Sequence, residues 1–388
     1  MMLTSATISL SRAPTTVTGL GARDSVHSNA LPMLSAKPSH MAKVSSARTI
    51  RMPCVCSGSG SQKRFTHIPE AAAMKPYFKA ESISVELTKS KSLITAIKTP
   101  YLSDGRFDLK VYDKMLEDQI EAGVEGVIVG GTTGEGHLMS WDEQIMLTAH
   151  TVNNYGTHLH VIGNTGSNST REAVHATQQG FAVGMHAALQ INPYYGKTSH
   201  TGLIHHFNAV MEEGPAIIYN VPGRTGQDIP PHVIEKVAKH PNFAGVKECT
   251  GNDRIKLYTD QGITCWSGND DEAHDAVHHF GAKGVISVTS NIIPGVFRKL
   301  MDKRDDEMAA KCLPLMTLLF AEPNPIGINT IHMMGGMCNP VWRLPYVPMS
   351  LDQRKQFVEI VKELGIEHTV YGKMEVMADE DFIYLSSF

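Results

Sequence analysis

The feature of this sequence that most constrains its fold is a repeat of eight short, β-branched apolar runs, most of them followed by a turn-forming cluster and an amphipathic stretch. The runs are Leu93–Thr99, Val124–Gly130, His158–Gly163, His186–Ile191, Ala216–Val221, Ala244–Glu248, Ile263–Ser267 and Gly284–Val288. Amphipathic helices are predicted at Asp108–Ala122, Ser140–Val152, Thr170–Phe181 and Thr201–Met211. A repeat of roughly 20 to 35 residues is typical of a strand–loop–helix unit. Eight such units predict an α/β fold, the (β/α)8 TIM barrel, in which catalytic groups gather at the C-terminal ends of the strands.

A doubly wound open sheet is the alternative fold. It usually needs a glycine-rich turn after its first strand, and Thr99-Pro-Tyr-Leu-Ser103 is not such a turn. After Asn291 the pattern predicts helices and no further strand. The predicted segments are helices at Pro294–Met301, Asp305–Phe320, Pro325–Met334 and Leu351–Leu364, and an acidic solvated edge at Glu375–Asp381. We therefore expect the barrel at residues 76–291 and a C-terminal helical region at residues 292–388.

The N-terminal segment differs from the rest of the chain in charge. Residues 1–69 hold one acidic residue, Asp24, against eight Lys or Arg residues, with many Ser and Thr and no signal-peptide hydrophobic core. This composition is typical of an organelle transit peptide, so residues 1–75 are expected to be a removable leader; a disordered tail is the alternative. The whole chain has a formal charge of −4, so a leader of net charge +7 leaves −11 on the remainder.

Composition also argues against several classes of partner. The acidic balance argues against a nucleic acid held by charge, and no apolar run reaches the roughly 18 residues of a membrane span. The six cysteines lack the spacing of a disulfide framework, so reduced thiols are expected. The cluster of His200, His205 and His206 is better explained as a helix surface than as metal ligands, and no metal site is predicted.

One lysine, Lys247, lies at the polar end of the sixth apolar run. An ammonium group loses favourable hydration when it is buried, which lowers its pKa from about 10.4 and leaves a neutral amine able to attack a carbonyl. The alternative is a lysine that ends a strand and extends its head to solvent. From this residue alone, the two interpretations are about equally supported.

Further polar residues follow other strands at the same predicted end of the barrel. The segment Gly130–Gly136 contains Thr132 and Thr133, whose hydroxyls and neighbouring backbone N–H groups suit a carboxylate, although the glycines also fit a tight turn. Tyr219 lies where a proton-transfer group is expected, and Arg224 offers a planar fork for a second carboxylate. A tyrosine capping the core and a loop ion pair are the alternatives for these two.

Six motifs then follow one another in a characteristic order. They are GGTTGEG at 130–136, NPYYGKTS at 192–199, IIYNVPGRTGQD at 217–228, GVKECTGN at 245–252, WSGNDDE at 266–272 and GVISVTSN at 284–291. Together they resemble the plant type of the dihydrodipicolinate synthase family, among the pyruvate-dependent class I aldolases, from about Ser92 to Phe382. The arginine of GRTG favours the synthases within that wider group. The resemblance implies a chloroplast location.

The resemblance also implies a role for each matching position, with no cofactor. The positions are Lys247 for the imine with pyruvate, Tyr219, Thr132 and Tyr195 for proton transfer, Thr133 for the pyruvate carboxylate, Arg224 for L-aspartate-4-semialdehyde and Ile286 for the pocket wall. Tyr195 would act across a subunit interface of a homotetramer, a dimer of dimers. The implied activity is the lyase-class condensation of pyruvate with the semialdehyde, in lysine biosynthesis by the diaminopimelate pathway.

Inhibition by lysine at a dimer-interface site is a further implication of the resemblance. The matching positions are Gly136, His137, Trp141, Asn168, Glu172 and Tyr194. His137 departs from the glutamine expected in plant relatives, and the segment beginning at Asn168 could instead cap a helix. Two other functions remain open. One is a retro-aldolase acting on a keto-sugar acid, which would not need Arg224, and the other is a catalytically silent lysine-binding regulatory subunit.

Overall fold

The structure, a computed structural model, describes residues 84–387 and forms a closed barrel of eight parallel strands in sequence order. The strands are β1 Leu93–Ala96, β2 Gly126–Val129, β3 His160–Asn164, β4 Ala187–Ile191, β5 Ala216–Asn220, β6 Phe243–Glu248, β7 Cys265–Ser267 and β8 Gly284–Ser287. The barrel closes where β8 pairs with β1, with Ile94 opposite Ile286. The predicted α/β barrel is thereby confirmed, whereas the predicted leader at residues 1–75 lies outside the described residues.

Helices connect the strands and surround the barrel. They are α1 Val85–Ser90, α2 Leu109–Glu121, α3 Trp141–Tyr155, α4 Thr170–Ala182, α5 His200–Met211, α6 Pro222–Thr225, α7 Pro231–Val237, α8 Asn252–Thr259, α9 Ala273–Phe280 and α10 Pro294–Asp302. Short polar side chains determine where several of them begin. Ser140 caps α3 in a capping box with Glu143, and Asp108 and Ser199 cap α2 and α5. Each cap satisfies a backbone N–H that the helix leaves unpaired.

Beyond α10 the chain forms three more helices and a small sheet. The elements are α11 Asp306–Leu319, α12 Ile326–Met334, β9 Val341–Arg343, α13 Leu351–Leu364 and β10 Ile383–Leu385. The helices agree with the prediction, but the expectation of no strand after Asn291 is wrong, because β9 and β10 pair in parallel. Each of these strands is only three residues long and about 40 residues from its partner, so no local hairpin signal marks them. The predicted boundary at 291/292 stays a prediction.

The acidic segment Glu375–Asp381 is a solvated edge, as predicted, since all four of its acids are exposed, and it also contacts a buried arginine. Arg354, on α13, is 1% exposed, and its guanidinium donates to the carboxylate of Asp379 and to the carbonyl of Met377. A buried guanidinium requires acceptors, and the acidic segment supplies them.

The prediction that three histidines form a helix surface needs a correction at one of them. His200 and His205 are exposed, but His206 is buried on α5 with its Nδ1 2.9 Å from Thr170 Oγ1.

Alternating residues along the strands pack in two layers. Ile94, Ile128, Ile217 and Trp266 belong to the cluster inside the barrel, whereas Val127 and similar residues pack outward against the helices. Strands buried on both faces explain why the sequence runs are β-branched and continuous rather than alternating. The indole N–H of Trp266 donates to Lys91 O at 2.8 Å, so this large ring is buried with its polar atom satisfied.

A bulge in β6 determines which way Lys247 points. Ala216 of β5 lies opposite Phe243, but the next residue, Ile217, lies opposite Gly245, so β6 carries one extra residue. In a regular strand, Ala244 and Lys247 would face opposite sides of the sheet. The bulge instead allows Ala244 to pack inside the barrel while Lys247 also faces the interior. Gly245 has a φ of 144°, a region that side chains with a Cβ rarely adopt.

Two further predictions concern membrane-spanning helices and free thiols. Within residues 84–387, no helix combines the length and apolar character needed to cross a membrane. The four cysteines in this range, Cys249, Cys265, Cys312 and Cys338, are free thiols, as expected.

We predict that Gly245→Ala destabilises the protein and misplaces Lys247. A Cβ at this position would lie 2.5 Å from Thr264 O and 2.7 Å from the Trp266 ring, and the φ is unfavourable for alanine. The loss in the free energy of unfolding should exceed about 1 kcal/mol, measured by urea denaturation. Gly295→Ala, where a Cβ meets nothing within 4 Å, is the matched control. Equal stability of the two variants would contradict the importance of the bulge.

Candidate active site

The C-terminal ends of the barrel strands border a cavity of about 1090 Å³. Five of the predicted catalytic and substrate-binding residues line it together: Lys247, Tyr219, Thr132, Thr133 and Arg224. They come from three separate segments of the chain. The cavity lies where active sites of this barrel type are found, because the loops after the strands converge at that face.

Lys247 is the buried amine of the cavity. It lies on β6, directly opposite Tyr219 of β5, and only 6% of its surface is exposed. Its Nζ lies 4.5 Å from the centre of the Tyr219 ring. Burial lowers the pKa of Lys247; the neighbouring Cys249 and Asp270 oppose this shift, and the positive charge of Arg224 adds to it. Of the two interpretations left open by the sequence, the buried amine is the one the structure supports.

Tyr219 is a buried phenol that stays protonated. Burial raises its pKa well above 10, and the charge of Arg224 only partly offsets this rise. The neighbouring Cys249 also favours the protonated form. A protonated hydroxyl close to the amine can donate a proton and receive it back, which is the chemistry required of a general acid and base.

The glycine-rich segment after β2 brings Thr132 and Thr133 to the cavity wall. Thr133 is 1% exposed, and its hydroxyl oxygen accepts a hydrogen bond of 3.1 Å from Asn324 Nδ2. The turn is tight, because a Cβ on Gly136 would lie 1.9 Å from Gly130 O. Both alternatives from the sequence therefore apply: the glycines are required by the turn, and the threonine hydroxyls reach the cavity.

Arg224 lies in α6, the single turn that follows β5. Its Nη1 donates to Asn324 O at 3.2 Å, while the rest of the side chain is exposed at the cavity. This hydrogen bond goes to a carbonyl rather than to an acid, so the guanidinium keeps its full charge for an anionic ligand. The alternative of a loop arginine paired with a nearby acid does not describe its contacts.

Two residues of the cavity were not singled out from the sequence. Cys249 follows Lys247 by two positions and contributes a thiol whose pKa burial raises to about 11, so the thiol is neutral at physiological pH. The strand-end argument that selected Lys247 could have found it. Asn324 touches both Thr133 and Arg224 from the C-terminal region. No sequence signal indicates this contact, because it depends on how that region packs on the barrel.

Three predicted residues lie apart from the others. The side chain of Ile286 packs in the apolar cluster inside the barrel. Tyr195 is 95% exposed and has a φ of 67°, which is unusual for a residue other than glycine. Asn168 is exposed, and its Nδ2 lies 3.5 Å from Tyr194 O. In the described chain, none of the three belongs to the wall of the cavity.

The predicted lysine-binding residues border the other part of the same cavity. Its wall includes Gly136, His137, Trp141, Glu172 and Tyr194. Trp141 begins α3 and Glu172 lies in the first turn of α4.

The N-cap of α4 bears on the alternative given for Asn168. It is Ser169, whose hydroxyl accepts from the backbone N–H of Glu172, so the segment beginning at Asn168 does cap this helix, through its second residue.

Within residues 84–387, no group of three or more His, Cys, Asp or Glu side chains is arranged to hold a metal ion.

Comparison with known proteins agrees with this geometry. A profile of the dihydrodipicolinate synthetase family matches residues 89–364. The chain is similar to 4-hydroxy-tetrahydrodipicolinate synthase 2, chloroplastic, of Triticum aestivum, with 62% identity over 307 residues, which are 79% of this chain and 81% of the relative.

Two solved structures share the fold. Dihydrodipicolinate synthase from Acinetobacter baumannii complexed with pyruvate has a TM-score of 0.68 and 35% identity, covering 71% of this chain and 99% of that one. The enzyme from Cyanidioschyzon merolae with lysine bound has a TM-score of 0.67 and 28% identity, covering 72% and 99%. With a profile match across most of the described residues and a relative of 62% identity, this chain belongs to the dihydrodipicolinate synthetase family.

Proposed function

We propose that this chain is a 4-hydroxy-tetrahydrodipicolinate synthase, a lyase that condenses pyruvate with L-aspartate-4-semialdehyde through a Schiff base on Lys247. The observation that carries the proposal is the buried amine of Lys247, 4.5 Å from the ring centre of Tyr219, in the cavity of a chain that belongs to this family. The name of the wheat relative and the pyruvate in the Acinetobacter baumannii structure support the activity and the first substrate.

The reaction begins with attack of the neutral amine of Lys247 on the ketone carbon of pyruvate. Water leaves as the imine forms, and the protonated imine withdraws electrons so that the methyl group loses a proton to give an enamine. The enamine carbon attacks the aldehyde of the second substrate and forms the new carbon–carbon bond. The amino group of that substrate then displaces Lys247 from the imine, which closes the ring and regenerates the free amine.

Proton transfer in these steps is assigned to the buried hydroxyl of Tyr219 together with Thr132. Both line the cavity, and the protonated state of Tyr219 suits donation to the departing water and to the alkoxide of the aldehyde. Thr133 and the neighbouring amides would hold the pyruvate carboxylate. Arg224 would hold the carboxylate of the semialdehyde, whereas a retro-aldolase acting on a keto-sugar acid would not need this arginine.

Tyr195 is assigned to the proton relay of a neighbouring subunit. Its almost complete exposure and its left-handed φ are unusual for a tyrosine, and both are explained if a partner chain surrounds the ring. Ile286 would contribute only its backbone to the pocket. A homotetramer built as a dimer of dimers would place Tyr195 in this way, and a sedimentation mass equal to one chain would contradict it.

Lysine is the proposed inhibitor, bound in the part of the cavity lined by Trp141, Glu172 and Tyr194. The lysine in the Cyanidioschyzon merolae structure supports this assignment. Glu172 now accepts from Arg171 at 2.8 Å, and this exposed pair leaves its carboxylate accessible to an α-amino group. Asn168 would bind the ligand carboxylate, and Gly136 and His137 would close the site.

A chloroplast location completes the proposal. The wheat relative is named chloroplastic, and the basic, Ser- and Thr-rich composition of residues 1–75 fits a transit peptide. Import of a fusion carrying residues 1–75 into isolated chloroplasts tests this location, and failure of import would contradict it.

Reduction with borohydride in the presence of pyruvate should attach the three-carbon unit to Lys247. Peptide mapping by mass spectrometry locates the secondary amine that forms when hydride reduces the imine. Lys247→Arg should abolish the adduct and lower kcat by at least roughly a thousandfold, because an always-protonated guanidinium cannot form the imine. An adduct on any other lysine, or on none, would contradict the proposal.

Arg224→Ala serves as the matched control for this experiment. It should still form the pyruvate adduct, since Arg224 is assigned to the second substrate. Its kcat/KM for the semialdehyde should fall roughly 10- to 100-fold, because a charge-assisted hydrogen-bonding group is lost. Unchanged kcat/KM for the semialdehyde would contradict the role assigned to Arg224, and cleavage of a keto-sugar acid that survives this substitution would favour the retro-aldolase.

Glu172→Gln should raise the lysine concentration for half-inhibition by roughly tenfold, because it removes the charge that the ligand ammonium would pair with. Activity without lysine should be unchanged. Asp142→Asn, an exposed acid in the first turn of α3, is the control that changes net charge equally. The same shift in both variants would mean that general electrostatics, rather than a built site, controls inhibition.

A further inference from the structure

The segment 131–137 joins the two parts of the cavity. Thr132 and Thr133 lie at its catalytic end, and Gly136 and His137 lie at the end assigned to lysine. Between these two pairs lies Glu135, whose side chain is 1% exposed. The mechanism described above gives this buried acid no role.

Glu135 is held by three side chains from two other parts of the chain. Its Oε1 accepts from Lys98 Nζ at 2.6 Å and from Asn329 Nδ2 at 2.6 Å, and its Oε2 lies 3.4 Å from the Tyr101 hydroxyl. Lys98 follows β1, is itself fully buried, and donates a second hydrogen bond to Thr99 O at 2.7 Å. Asn329 lies on α12. The ion pair therefore ties the segment to the barrel and to the C-terminal region together.

Two features of Glu135, its backbone conformation and its buried charge, make this arrangement costly. Its φ of 61° lies in the left-handed region, where glycine would be unstrained. Its carboxylate and the Lys98 ammonium are both removed from water, and their attraction has to offset that loss. If the position required only a turn, glycine would adopt this conformation with less strain. The glutamate is explained if the position of the segment has to be fixed by a side-chain anchor.

Backbone hydrogen bonds within the segment link the position of Glu135 to both of its ends. The N–H of Glu135 donates to Thr132 O at 3.2 Å, and the N–H of Gly136 donates to Gly131 O at 3.1 Å. Movement of the carboxylate would therefore shift the catalytic threonines and the lysine-binding end together. The region around α12 reinforces the catalytic end, since Asn324 Nδ2 donates to Thr133 Oγ1.

We propose that the buried Lys98–Glu135 pair positions the segment 131–137 and thereby couples pyruvate binding to lysine binding. Glu135 is a positioning residue, because it acts through Thr132, Thr133 and the lysine-binding end rather than by touching substrate. The proposal rests on the functions proposed above for those residues. It predicts that one change at Glu135 alters the affinity for both ligands, although neither ligand meets its side chain.

The test measures the KM for pyruvate, kcat, and the lysine concentration for half-inhibition in Glu135→Gln. The amide keeps the shape of the side chain but removes its charge. We expect both the KM for pyruvate and the half-inhibition concentration to rise at least roughly fivefold, a shift typical of coupling between sites. The value of kcat should fall as well, because the displaced segment includes Thr132. Asp306→Asn, which removes an exposed ion pair with Arg304, is the control and should change neither constant.

A second variant separates positioning from folding. Leaving Lys98 buried without its partner could unfold the chain, so Lys98→Met combined with Glu135→Met replaces both charges with apolar groups of similar length. This double variant should stay folded by circular dichroism and show the same paired shift.

Unchanged constants in either folded variant, or a shift in only one of the two, would overturn the proposal. Failure of the wild-type protein to form the pyruvate adduct would instead contradict the proposed function.

Discussion

The chemistry of this site depends on keeping one amine, that of Lys247, out of water. In water an ammonium keeps its proton and cannot attack a carbonyl, whereas burial favours the neutral form. The strands of the barrel are buried on both faces, so a lysine on the interior side of β6 has little access to solvent except through the cavity. The acids able to oppose this effect are kept from pairing directly with the amine. One carboxylate oxygen of Asp270, for example, accepts hydrogen bonds from the Thr289 hydroxyl and from the N–H groups of Val288 and Thr289.

The direction of the Lys247 side chain depends in turn on the β-bulge in β6, the strand that carries it. Without the extra residue at Ala244 and Gly245, the regular alternation of β6 would not bring Ala244 and Lys247 to the same side. The same bulge leaves Lys247 opposite Tyr219, so the register between β5 and β6 determines the relative positions of the nucleophile and the proton donor. The local backbone conformation of β6 at the bulge therefore determines how the reactive amine is presented to the cavity.

The sequence predicts the regular parts well and the exceptions poorly, for physical reasons. The eight strands could be located because a doubly buried parallel strand must be continuously apolar, and Lys247, Tyr219 and Arg224 could be placed because they end such runs. The bulge at Gly245 could not be found, since a glycine in a strand has several explanations. The Asn324 contacts, the Arg354–Asp379 pair and the Lys98–Glu135 pair join residues far apart in sequence. Such contacts form only when helices and loops pack, and no local pattern records them.

Burial favours the neutral form of the Lys247 amine, and the titration of this residue tests that effect most directly. Competitive labelling of the lysines with a trace of acetic anhydride between pH 5 and 11, followed by peptide mass spectrometry, gives the reactivity of each amine against pH. Because burial disfavours the ammonium form, the midpoint for Lys247 should lie clearly below the ordinary lysine value of about 10.4, and pyruvate should protect it from labelling. A midpoint at or above the ordinary value would contradict the account.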